Sequence, residues 1–254
     1  MPPWLRQNQA MDKVAVVTGA DTGIGWAIAQ RLQQDGYVLG FHTRDEEPKA
    51  RYEEIAENSR AIWLVGDLSD RDIGERLISK TVDELGRIDV LVNNAGATSA
   101  KPALDLDVDD FDALFSVDVR GAFLMSSAAA KRMRDGEGGV IVNITSVHEH
   151  IPRSGFALYA SAKAALGMLT RSFALELAQD EIRVNAVAPG AIATSRNKEA
   201  DELADQIPLG RPGEPADVAA LVSYLVSDEA GYVSGTSVVI DGAMTQQVVA
   251  DPAW

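Results

Sequence analysis

The chain has 254 residues, of which 46% are hydrophobic and 24% charged, and it carries a formal net charge of -15 at pH 7. This length suffices for one α/β domain with a large core, so a second domain is not required. The negative charge opposes binding to nucleic acid or to an anionic membrane. No apolar run reaches the ~18 residues of a membrane span, and the absence of cysteine excludes disulfides and thiolate catalysis.

The beginning of the chain shows no apolar periodicity. Residues 1–10 are predicted to form a loose tail, and residues 11–254 a single domain. A basic stretch followed by an apolar segment and a cleavage site, which would indicate export, is not found there. Together with the lack of cysteine, this predicts a cytoplasmic protein.

The first periodic segment is an apolar run at residues 13–18, which predicts a strand buried on both faces. It continues into Gly19-Ala20-Asp21-Thr22-Gly23-Ile24-Gly25 and a helical stretch from Trp26 to Gln34. Glycines at such a junction let the backbone turn tightly and approach a pyrophosphate, whose charge the helix N-terminus attracts. An isolated glycine pattern fits any tight turn, but its place at the first strand–helix junction indicates a dinucleotide-binding loop.

The end of the second strand, Tyr37 to His42, bears on the choice of cofactor. It lacks the acidic residue that would bind the adenosine ribose 2′-hydroxyl and indicate NAD. Thr43 and Arg44 follow instead, and Arg44 is a candidate partner for a 2′-phosphate. Asp21 is an awkward neighbour for that phosphate, and Arg44 fits an ordinary solvated charge equally well. We therefore favour NADP(H), with NAD(H) open.

The middle of the chain alternates helices and strands. Helical periodicity and apolar runs predict a surface helix over Glu46–Asn58, a strand over Ala61–Val65, a helix over Asp70–Leu85, a strand over Arg87–Val92 and a long helix over Asp109–Arg134. The two strands lead into Gly66-Asp67-Leu68 and Asn93-Asn94-Ala95-Gly96. Asn-Asn alone would indicate only a turn.

The segment from Ser146 to Lys163 combines three side chains that suit proton transfer. Ser146 follows the β-rich run Gly139–Ile144, so its hydroxyl is expected at the carboxyl end of a strand, where open α/β sheets bind their ligands. Tyr159 and Lys163 are four residues apart, which places them on one helix face with β-carbons about 6 Å apart. A lysine ammonium at that distance favours the tyrosinate form, although the spacing alone also fits an exposed helix turn.

Together with the glycine loop, spaced Thr-Gly-x-x-x-Gly-x-Gly, these residues resemble the short-chain dehydrogenase/reductase family. The resemblance runs from about Asp12 to Thr245. It implies that Tyr159 is the general acid/base, that Ser146 holds the substrate oxygen, and that Lys163 tunes the tyrosine and binds the nicotinamide ribose. It also implies a doubly wound (Rossmann) parallel sheet of about seven strands with helices on both faces.

The resemblance further implies a cofactor site formed by Gly19, Asp21, Thr22, Gly23, Ile24, Gly25, Thr43, Arg44, Asp67, Leu68, Asn94, Ala95, Gly96, Tyr159, Lys163, Pro189, Gly190, Ile192 and Thr194. Within it, Gly66-Asp67-Leu68 is similar to the adenine-binding turn of the family. The run from Pro189 to Thr194 follows a predicted sixth strand and is similar to the nicotinamide clamp. There the amide of Ile192 and the hydroxyl of Thr194 would hold the carboxamide.

One position departs from the family pattern. The residue that matches Asp118 is usually an asparagine, the fourth member of the catalytic set, which links the lysine to a chain of waters. An ionised aspartate only accepts hydrogen bonds, whereas asparagine also donates them. We keep Asp118 as a catalytic candidate, and its effect on the proton relay is open.

The loop after Ser146 reads His148-Glu149-His150. Two imidazoles in one short loop are too few to predict a metal site. The loop is instead predicted to line the substrate pocket, and together with Asn197 it resembles the glucose-dehydrogenase branch of the family. The acidic residue that this branch carries just after Asn-Asn-Ala-Gly is Thr98 here, so a polar carbonyl compound or polyol is a safer class than glucose.

The predicted activity is NAD(P)-dependent hydride transfer between nicotinamide and a secondary alcohol or carbonyl compound, with Ser146, His148, Tyr159 and Asn197 at the substrate. A 3-oxoacyl-thioester reductase would share every motif. A nucleotide-sensing regulator without turnover is the alternative from another class. The family resemblance also implies a homotetramer. The helices Asp109–Arg134 and Phe156–Ala178 agree with this prediction, because they are apolar over more of their circumference than one sheet face covers.

Overall fold

The computed structural model describes residues 12–45, 60–195, 197 and 200–247. Their core is one sheet of seven parallel strands in the order β3-β2-β1-β4-β5-β6-β7. The strands are β1 (Val14–Val17), β2 (Val38–Thr43), β3 (Ala61–Val65), β4 (Val90–Asn93), β5 (Gly139–Ile144), β6 (Ile182–Pro189) and β7 (Ser237–Ile240). The predicted doubly wound parallel sheet is confirmed.

Helices cover both faces of this sheet. They are α1 (Gly23–Gln34), α2 (Ile73–Leu85), α3 (Val108–Phe115), α4 (Ala122–Arg134), α5 (Ala157–Leu177) and α6 (Pro215–Val226). Helices α1 and α6 pack against one face through residues such as Ile28 and Val222. Helices α2, α4 and α5 pack against the other face, where Leu77, Met125 and Ala174 are buried. The strands are apolar on both sides because each face is covered.

The long helix predicted over Asp109–Arg134 is interrupted. A π-helical turn, Ser116–Gly121, lies between α3 and α4 and contains Asp118. Such turns occur often at functional sites. The whole stretch Val108–Arg134 is long and apolar enough to cross a membrane by length and composition, but half of its apolar window is buried against the rest of the fold. Core helices of globular proteins share this property.

Two predictions fall outside the described residues. These are the tail over residues 1–10 and the surface helix over Glu46–Asn58. The remaining predicted strands and helices are found within a few residues of their predicted bounds, apart from the interruption at Ser116–Gly121.

Candidate active site

The candidate site lies at the carboxyl edge of the sheet. The strand order runs 3-2-1 in one direction and 4-5-6-7 in the other, so the chain changes direction between β1 and β4. A crevice forms at such a point, and open α/β sheets bind ligands there. The predicted catalytic residues and the glycine loop all follow strands that end at this edge.

Ser146 and Tyr159 flank the end of β5. Ser146 is buried two residues beyond the strand and caps a short 3₁₀ turn, Val147–Glu149, where its Oγ accepts a hydrogen bond from the backbone N–H of His148 at 3.2 Å. Tyr159 lies in the first turn of α5. The Nζ of Lys163 is 5.5 Å from the centroid of the Tyr159 ring. The predicted sharing of one helix face is thus observed.

Lys163 forms a buried ion pair with Asp118. Its Nζ lies 2.9 Å from Oδ2 of Asp118, and the two side chains are 5% and 0% exposed. No donor among the described residues is well aligned with Oδ2, so the contact is an ion pair rather than a directed hydrogen bond. The lysine also donates to the carbonyl of Ile144 at 3.3 Å. Burial alone would lower the pKa of Lys163, but the negative charges of Asp118 and of the tyrosinate oppose burial and leave this pKa raised.

The backbone of the Asn-Asn-Ala-Gly motif encloses this pair. Asp118 Oδ1 accepts a hydrogen bond from the N–H of Ala97 at 2.7 Å. A Cβ on Gly96 would lie 3.0 Å from Oδ2 of Asp118 and 3.1 Å from Nζ of Lys163. A side chain at position 96 would therefore push the ion pair aside by a few tenths of an ångström, which favours glycine there.

The glycine loop is held in the conformation that a phosphate site needs. Gly19 and Gly23 have φ angles of +61° and +54°, which side chains disfavour. A Cβ on Gly25 would lie 2.1 Å from the carbonyl oxygen of Gly19, so no side chain fits there. Asp21, Thr22 and Ile24 are half-buried in this loop and in the first turn of α1, which begins at Gly23.

The Asn-Asn-Ala-Gly motif is also tied to the glycine loop. Asn94 Nδ2 donates to the carbonyls of Thr18 at 2.9 Å and of Gly19 at 3.1 Å. The backbone N–H groups of Asn94 and Ala95 donate to Oγ1 of Thr18 at 2.9 and 3.0 Å. These bonds join the ends of β1 and β4, the two walls of the crevice.

A buried network extends from this motif to the catalytic helix. Asn93 Nδ2 donates to Ser126 Oγ and to Asn143 Oδ1, each at 2.8 Å. Asn143 Nδ2 then donates to Thr170 Oγ1 on α5, also at 2.8 Å. The network joins β4, β5, α4 and α5, and thereby fixes the helix that carries Tyr159 relative to the sheet.

His42 is a site residue that sequence reasoning did not single out. It is 2% exposed at the end of β2. Its Nδ1 accepts a hydrogen bond from the N–H of Gly19 at 3.2 Å, and its Nε2 lies 2.8 Å from the carbonyl of Gly66. One imidazole thus bridges the glycine loop and the turn after β3. A lone histidine in an apolar strand gave no signal for this role.

On the adenosine side, Thr43 is buried and Arg44 is exposed. The guanidinium of Arg44 pairs with Asp45 at 3.1 Å, with both side chains more than 70% exposed. Asp67 Oδ1 accepts from the N–H of Ser69 at 2.8 Å, and this bond holds the pKa of Asp67 below its usual value. Leu68 is buried beside Asp67.

At the predicted nicotinamide end, β6 ends at Pro189. The N–H of the next residue, Gly190, donates to the carbonyl of Ile240. Ile192 is buried, and Thr194 lies next to Gly23 of the glycine loop. Asn197, which the sequence predicts as a pocket residue, donates from its Nδ2 to the carbonyl of Ile192 at 3.1 Å. Its amide therefore braces the clamp segment.

The three polar residues of the loop after Ser146 make different contacts. The His148 ring stacks on Phe156 with centroids 5.6 Å apart and meets the Tyr159 ring edge-on at 6.1 Å. Burial lowers the pKa of His148, which keeps the ring neutral. Glu149 turns inward and accepts from Ser237 Oγ at 2.9 Å, with His150 beside it. Of the three, His148 is the one whose ring meets that of Tyr159.

The residues fit a dinucleotide. The glycine loop forms a cradle in which a Cβ at position 25 would have no room, and helix α1 begins there.

A family model described as enoyl-(acyl carrier protein) reductase matches residues 19–245. An uncharacterized oxidoreductase of Escherichia coli, YohF, is 44% identical over 241 residues, covering 91% of this chain and 95% of the relative.

The chain belongs to the short-chain dehydrogenase/reductase family.

Two further relatives extend the comparison. The crystal structure of an acetoin dehydrogenase from Enterobacter cloacae has a TM-score of 0.88 and 45% identity, covering 96% of this chain and 99% of the other. Glucose 1-dehydrogenase 2 of Bacillus subtilis is 35% identical over 245 residues, covering 92% of this chain and 95% of the relative. Membership in this family of NAD(P)-dependent enzymes makes the chain an oxidoreductase that acts on CH–OH groups and carbonyls. The oxidoreductase relatives therefore support an enzyme over the alternative of a regulator without turnover.

Proposed function

We propose that the protein is an NADP(H)-preferring dehydrogenase/reductase for small secondary alcohols and ketones that carry a neighbouring oxygen function. The observation that carries the proposal is the convergence of Ser146, Tyr159 and Lys163 at the carboxyl end of β5, beside the rings of His148 and Phe156. A proton donor, a hydroxyl and a buried ammonium in one crevice suit the interconversion of a carbonyl and an alcohol.

In this proposal a nicotinamide held by Ile192 and Thr194 would supply or accept the hydride. In the reductive direction Tyr159 gives its phenolic proton to the substrate oxygen, and in the oxidative direction the tyrosinate removes the alcohol proton. Ser146 donates a hydrogen bond to the same oxygen. Lys163 stabilises the tyrosinate by its charge, while Asp118 holds the ammonium in place.

The cofactor would span the crevice from the turn after β3 to the segment after β6. The first turn of α1 would receive the pyrophosphate, since its free N–H groups attract anions. Asp67 and Leu68 would flank the adenine, and Ile192 and Thr194 the carboxamide. The preference for NADP(H) rests on Arg44, an exposed cation at the end of β2, where an acidic residue would repel a 2′-phosphate.

The position of His148 favours a substrate with a second oxygen next to the reacting carbonyl. Its Nδ1 lies 3.2 Å from the carbonyl of Ile151, so this nitrogen carries the proton and Nε2 becomes the acceptor. A substrate hydroxyl next to the reacting carbonyl would donate to Nε2. The aromatic wall of His148 and Phe156 suits a short carbon chain. These features, with the acetoin dehydrogenase from Enterobacter cloacae at 45% identity, favour 2-hydroxyketones and their diketones.

Sugars and polyols are the second candidate class. The observation that favours them is the same His148 acceptor, together with the Bacillus subtilis glucose 1-dehydrogenase at 35% identity. A 3-oxoacyl thioester is a less suitable substrate. Such a thioester is carried by an acidic carrier protein, which the negative charge of this chain would repel.

We also propose a homotetramer, with the groove between α3–α4 and α5 facing a second copy. Phe111, Phe123 and Met168 line this groove and are 43%, 42% and 57% exposed. Apolar side chains at this exposure, clustered on neighbouring helices, indicate a covered surface. The family is typically oligomeric.

The proposal is tested by following reduced nicotinamide at 340 nm with a substrate panel and both cofactors. The panel contains acetoin, diacetyl, glucose, a linear polyol and an acetoacetyl thioester. We expect the highest kcat/KM with acetoin or diacetyl and NADP(H). Turnover of none of these compounds, or a best activity with the thioester, would contradict the proposed substrate class.

A further inference from the structure

The buried imidazole of His42 has a function that neither the catalytic set nor the family motifs assign. It lies at the end of β2, between the glycine loop after β1 and the turn after β3. Both segments belong to the proposed dinucleotide site, so the following inference rests on that site. His42 itself is 2% exposed and cannot reach a ligand from beneath the loop.

The hydrogen-bond partners determine the state of this ring. The N–H of Gly19 can only donate, so Nδ1 of His42 must accept, at 3.2 Å. The carbonyl of Gly66 can only accept, so Nε2 must carry the proton, at 2.8 Å. The backbone carbonyl of His42 also accepts from the N–H of Ala20 at 2.9 Å. One residue thus fixes two consecutive amides of the glycine loop.

Only the neutral ring satisfies these partners. Protonation of Nδ1 would set an N–H against the N–H of Gly19, and this contact would be lost. Gly19 has a φ of +61° and is the first residue of the loop, so a shift there moves the backbone that meets the pyrophosphate. The loop geometry therefore depends on the charge of His42.

Charged and apolar neighbours surround the ring. Burial lowers the pKa of His42, while the carboxylates of Asp21 on the glycine loop and of Asp67 on the turn after β3 oppose that effect. Arg44, two residues further along the chain, is exposed and paired with Asp45. On β3 the residue in register with His42 is Leu64, which is buried and apolar.

We propose that His42 is a positioning residue that holds Gly19 of the glycine loop, with the Gly66 carbonyl fixing its tautomer, and that acidification weakens dinucleotide binding through it. It acts through Gly19 and Gly66 and does not touch the reacting atoms. The KM for the dinucleotide and its dissociation constant should therefore respond to His42, while kcat at saturating dinucleotide should not.

The test measures the dissociation constant of NADH by fluorescence between about pH 8 and pH 5. NADH is the probe because the 2′-phosphate of NADPH itself titrates near pH 6. For the wild-type protein we expect the dissociation constant to rise at least about threefold over this range. An unchanged constant would overturn the proposal.

Two variants separate the two hydrogen bonds. Asn in His42→Asn has an acceptor at the δ position and no titratable group, so it can keep the Gly19 bond at every pH. It should bind NADH within about threefold of wild type at pH 8, with no change on acidification. In His42→Gln the glutamine side chain reaches only the Gly66 carbonyl. This variant should bind NADH more weakly than wild type at all pH values, while its kcat at saturating NADH is retained.

The matched control is His150→Asn, which removes a histidine from an exposed position outside the proposed dinucleotide site. It should keep the wild-type pH dependence of NADH binding. The proposal is contradicted if His42→Asn keeps that dependence, or if His42→Gln binds as tightly as His42→Asn. Failure of wild type to bind either NADH or NADPH at any pH is a different result, which would overturn the proposed dinucleotide site and this inference with it.

Discussion

The Nζ of Lys163 lies 2.9 Å from Oδ2 of Asp118, and the two side chains are 5% and 0% exposed. A buried ammonium is thus compensated by a buried carboxylate, where the family usually has a neutral asparagine. The pair has no net charge, so Lys163 stabilises the tyrosinate less than an uncompensated ammonium would. We therefore expect Asp118 to modify the catalytic set that the family resemblance implies.

Replacing Asp118 should change the pH profile of alcohol oxidation. In Asp118→Asn the ammonium of Lys163 faces Tyr159 without a competing carboxylate, so the tyrosinate forms more easily. We expect the acidic limb of the kcat/KM profile to move to lower pH, and thermal unfolding to confirm a folded protein. The control is Asp83→Asn, which removes the same charge from an exposed position on α2. A limb that stays in place or moves to higher pH would contradict the electrostatic argument.

Arg44 should set the preference for NADP(H). A charge-assisted hydrogen bond to a phosphate is stronger than a neutral one, although solvent weakens it at an exposed position. Arg44→Ala should therefore lower kcat/KM with NADP(H) about tenfold and leave kcat/KM with NAD(H) nearly unchanged. Arg134→Ala is the matched control, because Arg134 is also exposed and paired with the next residue, Asp135. A wild-type preference for NAD(H) above about tenfold would show that Asp21 outweighs Arg44.

The apolar groove should hold a second copy of the chain. Substituting Phe123 and Met168 together by aspartate places charges in the proposed interface, where their desolvation opposes association. Light scattering should report a tetramer for wild type and a smaller species for this double variant. Leu104→Asp, at a fully exposed residue outside the groove, should remain a tetramer. Wild-type protein that is monomeric at micromolar concentration would contradict the prediction.

His42 should also make folding stability depend on pH. Burial lowers its pKa in the folded state, so the unfolded chain binds this proton more readily. The contribution of the neutral ring is complete above the unfolded pKa of about 6.5 and is lost as pH falls from there towards the folded pKa. Urea unfolding should show a smaller loss of stability between about pH 7 and pH 5 in His42→Asn than in wild type. An equal loss in both proteins would mean that His42 is not buried in its neutral form.

Much of the site could be predicted from sequence because its groups follow strand ends. Ser146 and the glycine loop each follow an apolar run, and parallel strands bring their carboxyl ends to one edge. The four-residue spacing of Tyr159 and Lys163 on a helix places both side chains on the same face. These are local patterns, and the fold needed only to align them.

Other features could not be predicted because they depend on contacts between distant segments. The break at Ser116–Gly121 was missed, since the apolar period of Asp109–Arg134 continues through it. His42 was passed over because its partners, Gly19 and Gly66, are 23 and 24 residues away. The hydrogen bond from the Asn197 amide to the carbonyl of Ile192 could not be predicted either, although Asn197 itself was a candidate pocket residue. Hydrogen bonds of this kind leave no periodicity in a sequence.

The central claim is that Tyr159 transfers the proton in a carbonyl/alcohol oxidoreductase, and Tyr159→Phe tests it most directly. The substitution removes only the phenolic hydroxyl, whereas Tyr232→Phe removes the same group from a fully exposed ring and serves as the control. With the best substrate of the panel, kcat for Tyr159→Phe should fall about 10²–10⁴-fold while the dissociation constant of the dinucleotide stays near that of wild type. Turnover by Tyr159→Phe within about threefold of wild type would contradict the assigned role.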